Sequence, residues 1–442
     1  MSRDFSISLM CRFAAIVGLG AFEPCLAGVN YEEAPINYST TKPSNAISRL
    51  QARLDSATVS LEFNEPQGYL LSVLNLLDIP VSSQVLTFAK TSMQAPHISP
   101  ETPRAIYFND AIHVGYVQGG ILEIAVSDPG LGMAFYTLDQ HAPAQPRFQH
   151  NANNCLTCHG AARTRNVPGL QVRSVFTDPR GQPVVAAGSL RTDHTSPFDK
   201  RWGGWYVTGR HGAQTHLGNF TLPDARKPKV VDNTAGQNVT DLASRFETSS
   251  YPSPHSDLVA LLVLEHQADA HNYLTLANFE SRFALHKQVE QLQRSNAQAE
   301  TIREATDKQI AKAGDTLVRY LLFHGEATLT GPIDGTAGFA SEFSARGPRD
   351  VRGRSLRDFD LTRRIFKYPC SYLIYSDAFA ALPEQMQRYA YGRLRYLLTT
   401  EEAAADVAHL SREDRQAILE ILLATKPDFA DIVKSAGTDS DP

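Results

Sequence analysis

Cysteine is scarce in this chain: there are five in 442 residues, and two of them, Cys11 and Cys25, fall in an N-terminal segment that reads as an export signal. Without that segment only Cys155, Cys158 and Cys370 remain, which excludes a disulfide framework and leaves a four-ligand zinc site without a second cysteine pair. Excess charge of one sign is also lacking. The formal net charge of −5 is unchanged by removing the signal, because Arg3 and Arg12 there balance Asp4 and Glu23, so no strong field invites nucleic acid or an anionic membrane. After the signal no apolar run approaches the roughly 20 residues needed to span a bilayer; the longest, Leu258 to Leu264, fits a buried helical turn or two. Tryptophan occurs twice only, both times within Trp202-Gly203-Gly204-Trp205-Tyr206.

What is present begins with residues 1–27: Arg3 and Arg12, an apolar stretch from Phe13 to Phe22, and Cys25-Leu26-Ala27 as a small-x-small cleavage site before Gly28. This is the layout of a cleaved secretory signal, and it predicts a soluble protein in the periplasm or outside the cell. Further along stands Cys155-Leu156-Thr157-Cys158-His159. C-x-x-C-H is the attachment sequence of c-type haem: each thiol adds across a haem vinyl group, and the adjacent histidine ligates the iron. Export and motif support each other, since covalent haem is attached outside the bacterial cytoplasm, where a cytosolic C-x-x-C would first suggest a redox dithiol or zinc. A thioredoxin-like dithiol would also want the motif after a strand in a βαβ unit, and Gln149 to Asn154 does not read as such a strand. One haem c per chain, held by Cys155, Cys158 and His159, is therefore expected.

Glycine and proline divide the rest. Between Gly28 and about Gly236 they recur every few residues, and β-type segments alternate with turn signals: Ile106 to Phe108, His113 to Val117, Ile121 to Val126, Ala134 to Leu138, Val172 to Phe176 and Trp205 to Val207. With helices at 44–56 and 67–77, residues 28–236 form an α+β domain of mainly antiparallel sheet carrying the haem motif. From His255 to Ala313 there is neither glycine nor proline, and the pattern is helical with an interruption at Ser295-Asn296. Further helices are expected at 315–324, 376–398 and 411–424, which makes 237–442 an all-helical region; Thr328 to Arg354 is too glycine-rich to be regular.

The ligand opposite His159 is not evident. Small cytochromes c supply a methionine downstream of the motif, but the only one here is the remote Met386. His194 is the first candidate, because Asp193 and Thr195 flank it and can fix its tautomer; His211 is the second and His216 a third, while an open position would suit an enzyme or a gas sensor. The glycine-spaced tryptophans read either as a haem wall or as an aromatic corner of the core. His266 and His271, about 140° apart on a helix, cannot hold one metal together, though one of them, with Glu265 as acid or base, can be imagined reaching the haem. Eight arginines and lysines between Arg346 and Lys367 read as haem-propionate partners, a docking face, or simply a solvated salt-bridged surface. Cys370 reads as a small core residue.

In order, Asp193-His194-Thr195-Ser196-Pro197, Arg201-Trp202-Gly203-Gly204-Trp205-Tyr206-Val207-Thr208-Gly209 and Tyr368-Pro369-Cys370-Ser371-Tyr372-Leu373-Ile374-Tyr375-Ser376 resemble a group of exported bacterial monohaem proteins built around one C-x-x-C-H. The resemblance runs over most of the chain after the signal, implies haem c without the small cytochrome c fold, and supplies no reaction. The expected function is electron transfer with a redox partner protein. A peroxidase-like or small-substrate haem enzyme, or a haem-based sensor subunit, is the alternative.

Overall fold

The computed structural model describes residues 30–141, 145–224, 232–294, 298–401 and 405–438, and its centre is a seven-stranded antiparallel sheet. The strands β1 (Val85–Thr87), β2 (Arg104–Phe108), β3 (Ile112–Tyr116), β4 (Leu122–Asp128), β5 (Gly132–Leu138) and β6 (Gln149–His150) lie side by side in chain order. A separate hairpin pairs β7 (Val172–Val175) with β8 (Ser189–Thr192), after which β9 (Trp205–Tyr206) returns beside β1. The predicted turns close the hairpins. Asn109 Oδ1 accepts from the N–H groups of Ala111 and Ile112 between β2 and β3, and Asp128 Oδ1 accepts from Gly130 and Leu131 between β4 and β5.

Because side chains alternate along a strand, the sheet has two different faces. Leu86, Tyr107, Val114, Ile124 and Tyr136 pack against α1 (Ala46–Asp55) and α2 (Leu70–Leu76) through Ile47, Leu50 and Val73. The helix α1 starts with a capping box, Asn45 accepting from Ser48 N–H and Ser48 Oγ from Asn45 N–H. On the opposite face Val85, Phe108, Met133 and Phe135 belong to the apolar core of the helical half, so one core runs from sheet into helices.

That second face is covered by α3 (Ala152–His159), which carries C-x-x-C-H, and by α4 (Leu258–Arg294). Asp257 Oδ1 accepts from the N–H groups of Val259 and Ala260 and so caps α4, whose first turns are apolar on all sides and buried on all sides. The remaining helices are α5 (Ala299–Leu321), α6 (Phe339–Ala345), α7 (Asp377–Ala380), α8 (Glu384–Thr399), α9 (Arg412–Thr425) and α10 (Pro427–Thr438). The fold is thus α+β with a helical C-terminal part. No helix among the described residues is long and apolar enough to cross a membrane.

Three expectations need correction. The helix expected over 376–398 is two, α7 and α8, because Pro383 with ψ 144° cannot continue the first and instead starts the second. The glycine-rich stretch 328–354 contains α6, anchored by buried Phe339 and Phe343. The third is one of detail alone: Gln149-His150 pairs as a two-residue antiparallel strand at the sheet edge, and, as expected, no βαβ unit results. The signal at 1–27 and the interruption at Ser295-Asn296 lie outside the described residues; α4 ends at Arg294 and α5 begins at Ala299.

Candidate cofactor site

Helical spacing explains the motif. Cys155, Cys158 and His159 stand at i, i+3 and i+4 of α3, so both thiols and the imidazole share one face. The helix is held by Leu156, which packs into the main core, and by Asn151 N–H, which donates to Phe135 O of β5. It ends at Gly160, where a Cβ would lie 2.3 Å from the Tyr31 hydroxyl oxygen.

The three residues face a cavity of about 300 Å³, at the low end of the ~300–1,000 Å³ typical of small-molecule sites. Its floor is the sheet. Ile106, Gly115, Glu123 and Thr137 form one row across β2 to β5, and His113, Ala125 and Phe135 form the next. The hollow follows from residue size: Gly115 and Ala125 place almost no side chain where a filled sandwich would have large ones. Arg104 uses that room. Its guanidinium lies over Gly115, where a Cβ would come within 2.3 Å of Nη2, and reaches Glu123 Oε2 at 2.7 Å. Leu264 and Ala268 of α4 and Trp205 of β9 complete the walls.

His159 is prepared as a ligand. Burial holds its pKa below the usual histidine value, so the ring is neutral at pH 7. Its Nδ1–H donates to Gly169 O at 2.9 Å, the outer bond that fixes tautomer and orientation in metal-bound histidines. The lone pair is thereby on Nε2, which has no hydrogen-bond partner among the described residues. Phe135 packs on the ring with centroids 5.0 Å apart. Gly169 is steadied from α4, since Asn272 accepts from Leu170 N–H at 2.8 Å and donates to Leu170 O at 2.7 Å.

The cavity also holds unmet polar demand. Arg104 Nε and Gln171 Oε1 are buried without partners, and burial together with the neighbouring Arg163 cation lowers the pKa of Arg173. Two guanidiniums repelling each other beside Cys158 suit a ligand bearing carboxylates. Half-buried apolar surface at Ile106 and Ala125 suits a flat hydrophobic body. A porphyrin with two propionates combines both features, so the residues present fit haem c. By contrast, burial raises the Cys155 thiol to about 11, the opposite of the lowered pKa of a reactive dithiol. Among the described residues no three His, Cys, Asp or Glu side chains converge as a metal-ion site, whereas haem iron asks the protein only for axial donors.

No family model, curated protein or solved structure matches this chain. The reading of the site therefore rests on geometry.

The histidines singled out downstream lie elsewhere. His194 is buried against α4 and α5, its Nδ1 2.9 Å from His266 Nδ1 and its ring 4.3 Å from that of Tyr320; it does not line the cavity. Asp193 and Thr195 do not orient it, because Asp193 Oδ1 accepts from Thr195 N–H and Oγ1–H instead. His211 also stands outside the cavity, with Nδ1 on Gln214 O and Nε2 accepting from Asn238 N–H. His216 meets Trp202 edge-on and His211 at a tilt. Of the tryptophans, Trp205 is a cavity wall and Trp202 a core residue. His266 and His271 point to different partners, Ser371 Oγ and Asp110 O, and Glu265 is paired with Arg201 at 2.5 Å. The basic run from residue 346 is largely a salt-bridged surface, with Arg352 and Arg354 on Glu420 and Arg364 on Asp414, while Arg357 is buried over Phe343 and Tyr372 and paired with Asp110. Cys370 is a core residue. Residues missed from sequence are Arg104, Glu123, Arg163, Arg173 and Met93, all on the cavity wall. Strand alternation could have flagged Arg104 and Glu123 as charges on an otherwise apolar sheet.

Proposed function

We propose that the protein is an exported carrier of one covalent haem c that passes single electrons to and from a redox partner protein. The observation that carries this reading is the opening of Cys155, Cys158 and His159 together onto one cavity, with His159 already bonded through Nδ1 to Gly169 O. Bound there, haem supplies a one-electron iron couple. Cys155 and Cys158 would tether it, His159 Nε2 would supply a protein ligand to the iron, and Arg163 and Arg173 would balance its propionates. The walls of α4, Trp205 and the sheet shield it from water. A second reading, a haem enzyme, draws support from the Arg104–Glu123 pair inside the cavity, a carboxylate and a cation placed where a small substrate would meet them.

The test is expression with the periplasmic haem-attachment machinery. One haem per chain should survive denaturing electrophoresis and acid-acetone extraction, and Cys155→Ala with Cys158→Ala should abolish it. Haem that is retained by the double variant, or extracted from the parent, overturns the reading.

A further inference from the structure

Among the described residues lining the cavity, thioether and imidazole donors other than His159 come from two side chains, Met93 and His113. His113 is an enclosed floor residue. Its ring is stacked against Phe108 and meets His271 edge-on, its Nε2 is 3.1 Å from Gln267 Nε2, and its Nδ1 is buried without a partner. Its Nε2 is thus taken up by Gln267, and its ring is fixed between Phe108 and His271.

Met93 is held in the opposite way. It lies on the loop that follows β1, and both its neighbours are fastened to the sheet. Ser92 Oγ donates to Glu123 Oε1 at 3.1 Å; Gln94 Nε2 donates to Ile121 O at 3.1 Å while its Oε1 accepts from Ile121 N–H at 2.8 Å. The loop is thus clamped to the start of β4. Met93 itself is 54 % exposed, although it stands between the half-buried Ser92 and the buried Gln94, both anchored at the start of β4. Glu123, the anchor of Ser92, lines the same cavity as Met93, Cys155 and His159. The His159 wall, built by α3 on β5, and the Met93 wall, built by the loop after β1, therefore border one common space. A polarisable thioether at a fixed backbone position, with its side chain free of the core, is the form of donor that haem iron takes opposite histidine.

We propose that Met93 Sδ is the sixth ligand, making the haem His159/Met93 coordinated. This rests on the haem reading above. The ligand comes from upstream of C-x-x-C-H and from a sheet loop, not from a helix downstream, and it specifies a closed coordination sphere and a raised potential.

The experiment uses the full chain with haem attached. The ferric parent should be low-spin with the weak charge-transfer absorption of a thioether–iron bond, and the ferrous parent should bind carbon monoxide slowly. Met93→Leu should turn the ferric haem high-spin, remove that absorption, accelerate carbon monoxide binding at least tenfold and lower the midpoint potential. Met93→His should restore the low-spin spectrum without the charge-transfer absorption, and His113→Gln should leave the parent spectrum unchanged. A parent already high-spin, a low-spin state that survives Met93→Leu, or its loss in His113→Gln with survival in Met93→Leu overturns the proposal while leaving covalent haem intact. Absence of covalent haem in the parent overturns the haem reading, and Met93 with it.

Discussion

At the scale of single residues, the site depends on groups that never touch the cavity. Asn272 of α4 satisfies both backbone groups of Leu170 and so holds the neighbouring Gly169 carbonyl under His159. Asn272→Ala leaves a buried N–H and C=O unpaired, and a loss of about 1–3 kcal/mol in chemical unfolding is expected, together with a broadened haem spectrum as His159 loosens. Gly169 admits no larger residue, since a Cβ would lie 2.1 Å from Asn272 Oδ1. The buried histidines set a pH dependence. Unfolded, they take up protons near pH 6.5. Folded, burial lowers His216 to about 3; burial, helped by the Arg201 cation, holds His194 at about 4, and burial with the neighbouring His194 holds His266 low as well. The unfolded chain therefore binds more protons below pH 6.5, and stability is lost as pH falls from there towards 3, by up to about 1.4 kcal/mol per pH unit for each histidine. Urea midpoints at pH 7 and pH 5 measure this, and His216→Gln should flatten the difference.

At the scale of elements, α4 is the member that joins sheet, site and helical half. Its Asp269 takes two cations, Arg165 at 2.8 Å and Arg191 at 2.6 Å, and these hold its carboxyl down to about 2 although burial pushes it up. Asp269→Asn should destabilise the fold by about 3 kcal/mol, the low end of the ~3–5 expected for breaking a buried pair, because both guanidiniums keep partial solvent contact; thermal unfolding checks it. Much of this level was legible in sequence. Alternation in Ile121 to Val126 and Ala134 to Leu138 and the turn residues between them are local signals, and they gave β4 and β5 with their hairpin. The three-residue β1 and the two-residue β6 were not legible, because each exists only through its partner strand. His194 read as an accessible loop ligand, yet packing from α4 and α5, more than 70 residues away in sequence, buries it. Met93 went unseen for a related reason: nothing local links a loop after Thr87 to a motif at 155, and only the anchoring of that loop at the start of β4 through Ser92 and Gln94 brings both to one cavity.

At the scale of the whole molecule, a core shared by sheet and helices runs beneath an incompletely filled chamber. A covalent ligand that replaces water against Ile106, Ala125 and Leu264 adds apolar burial to both sheet and α4 at once. The haem-bearing chain should therefore melt at a higher temperature than its Cys155→Ala, Cys158→Ala counterpart in differential scanning calorimetry, with a larger unfolding enthalpy. Equal melting temperatures would mean that the ligand is carried outside the chamber.

Gly115 and Ala125 give this architecture its character by subtraction. A strand order, a capping helix and a hairpin set are compatible with an ordinary solid sandwich, in which valine or leucine at these two positions would close the space and send Arg104 out to solvent. The space is thus set by two small side chains, and a variant that enlarged them would keep its topology and lose its chamber with every residue of the C-x-x-C-H pentapeptide in place.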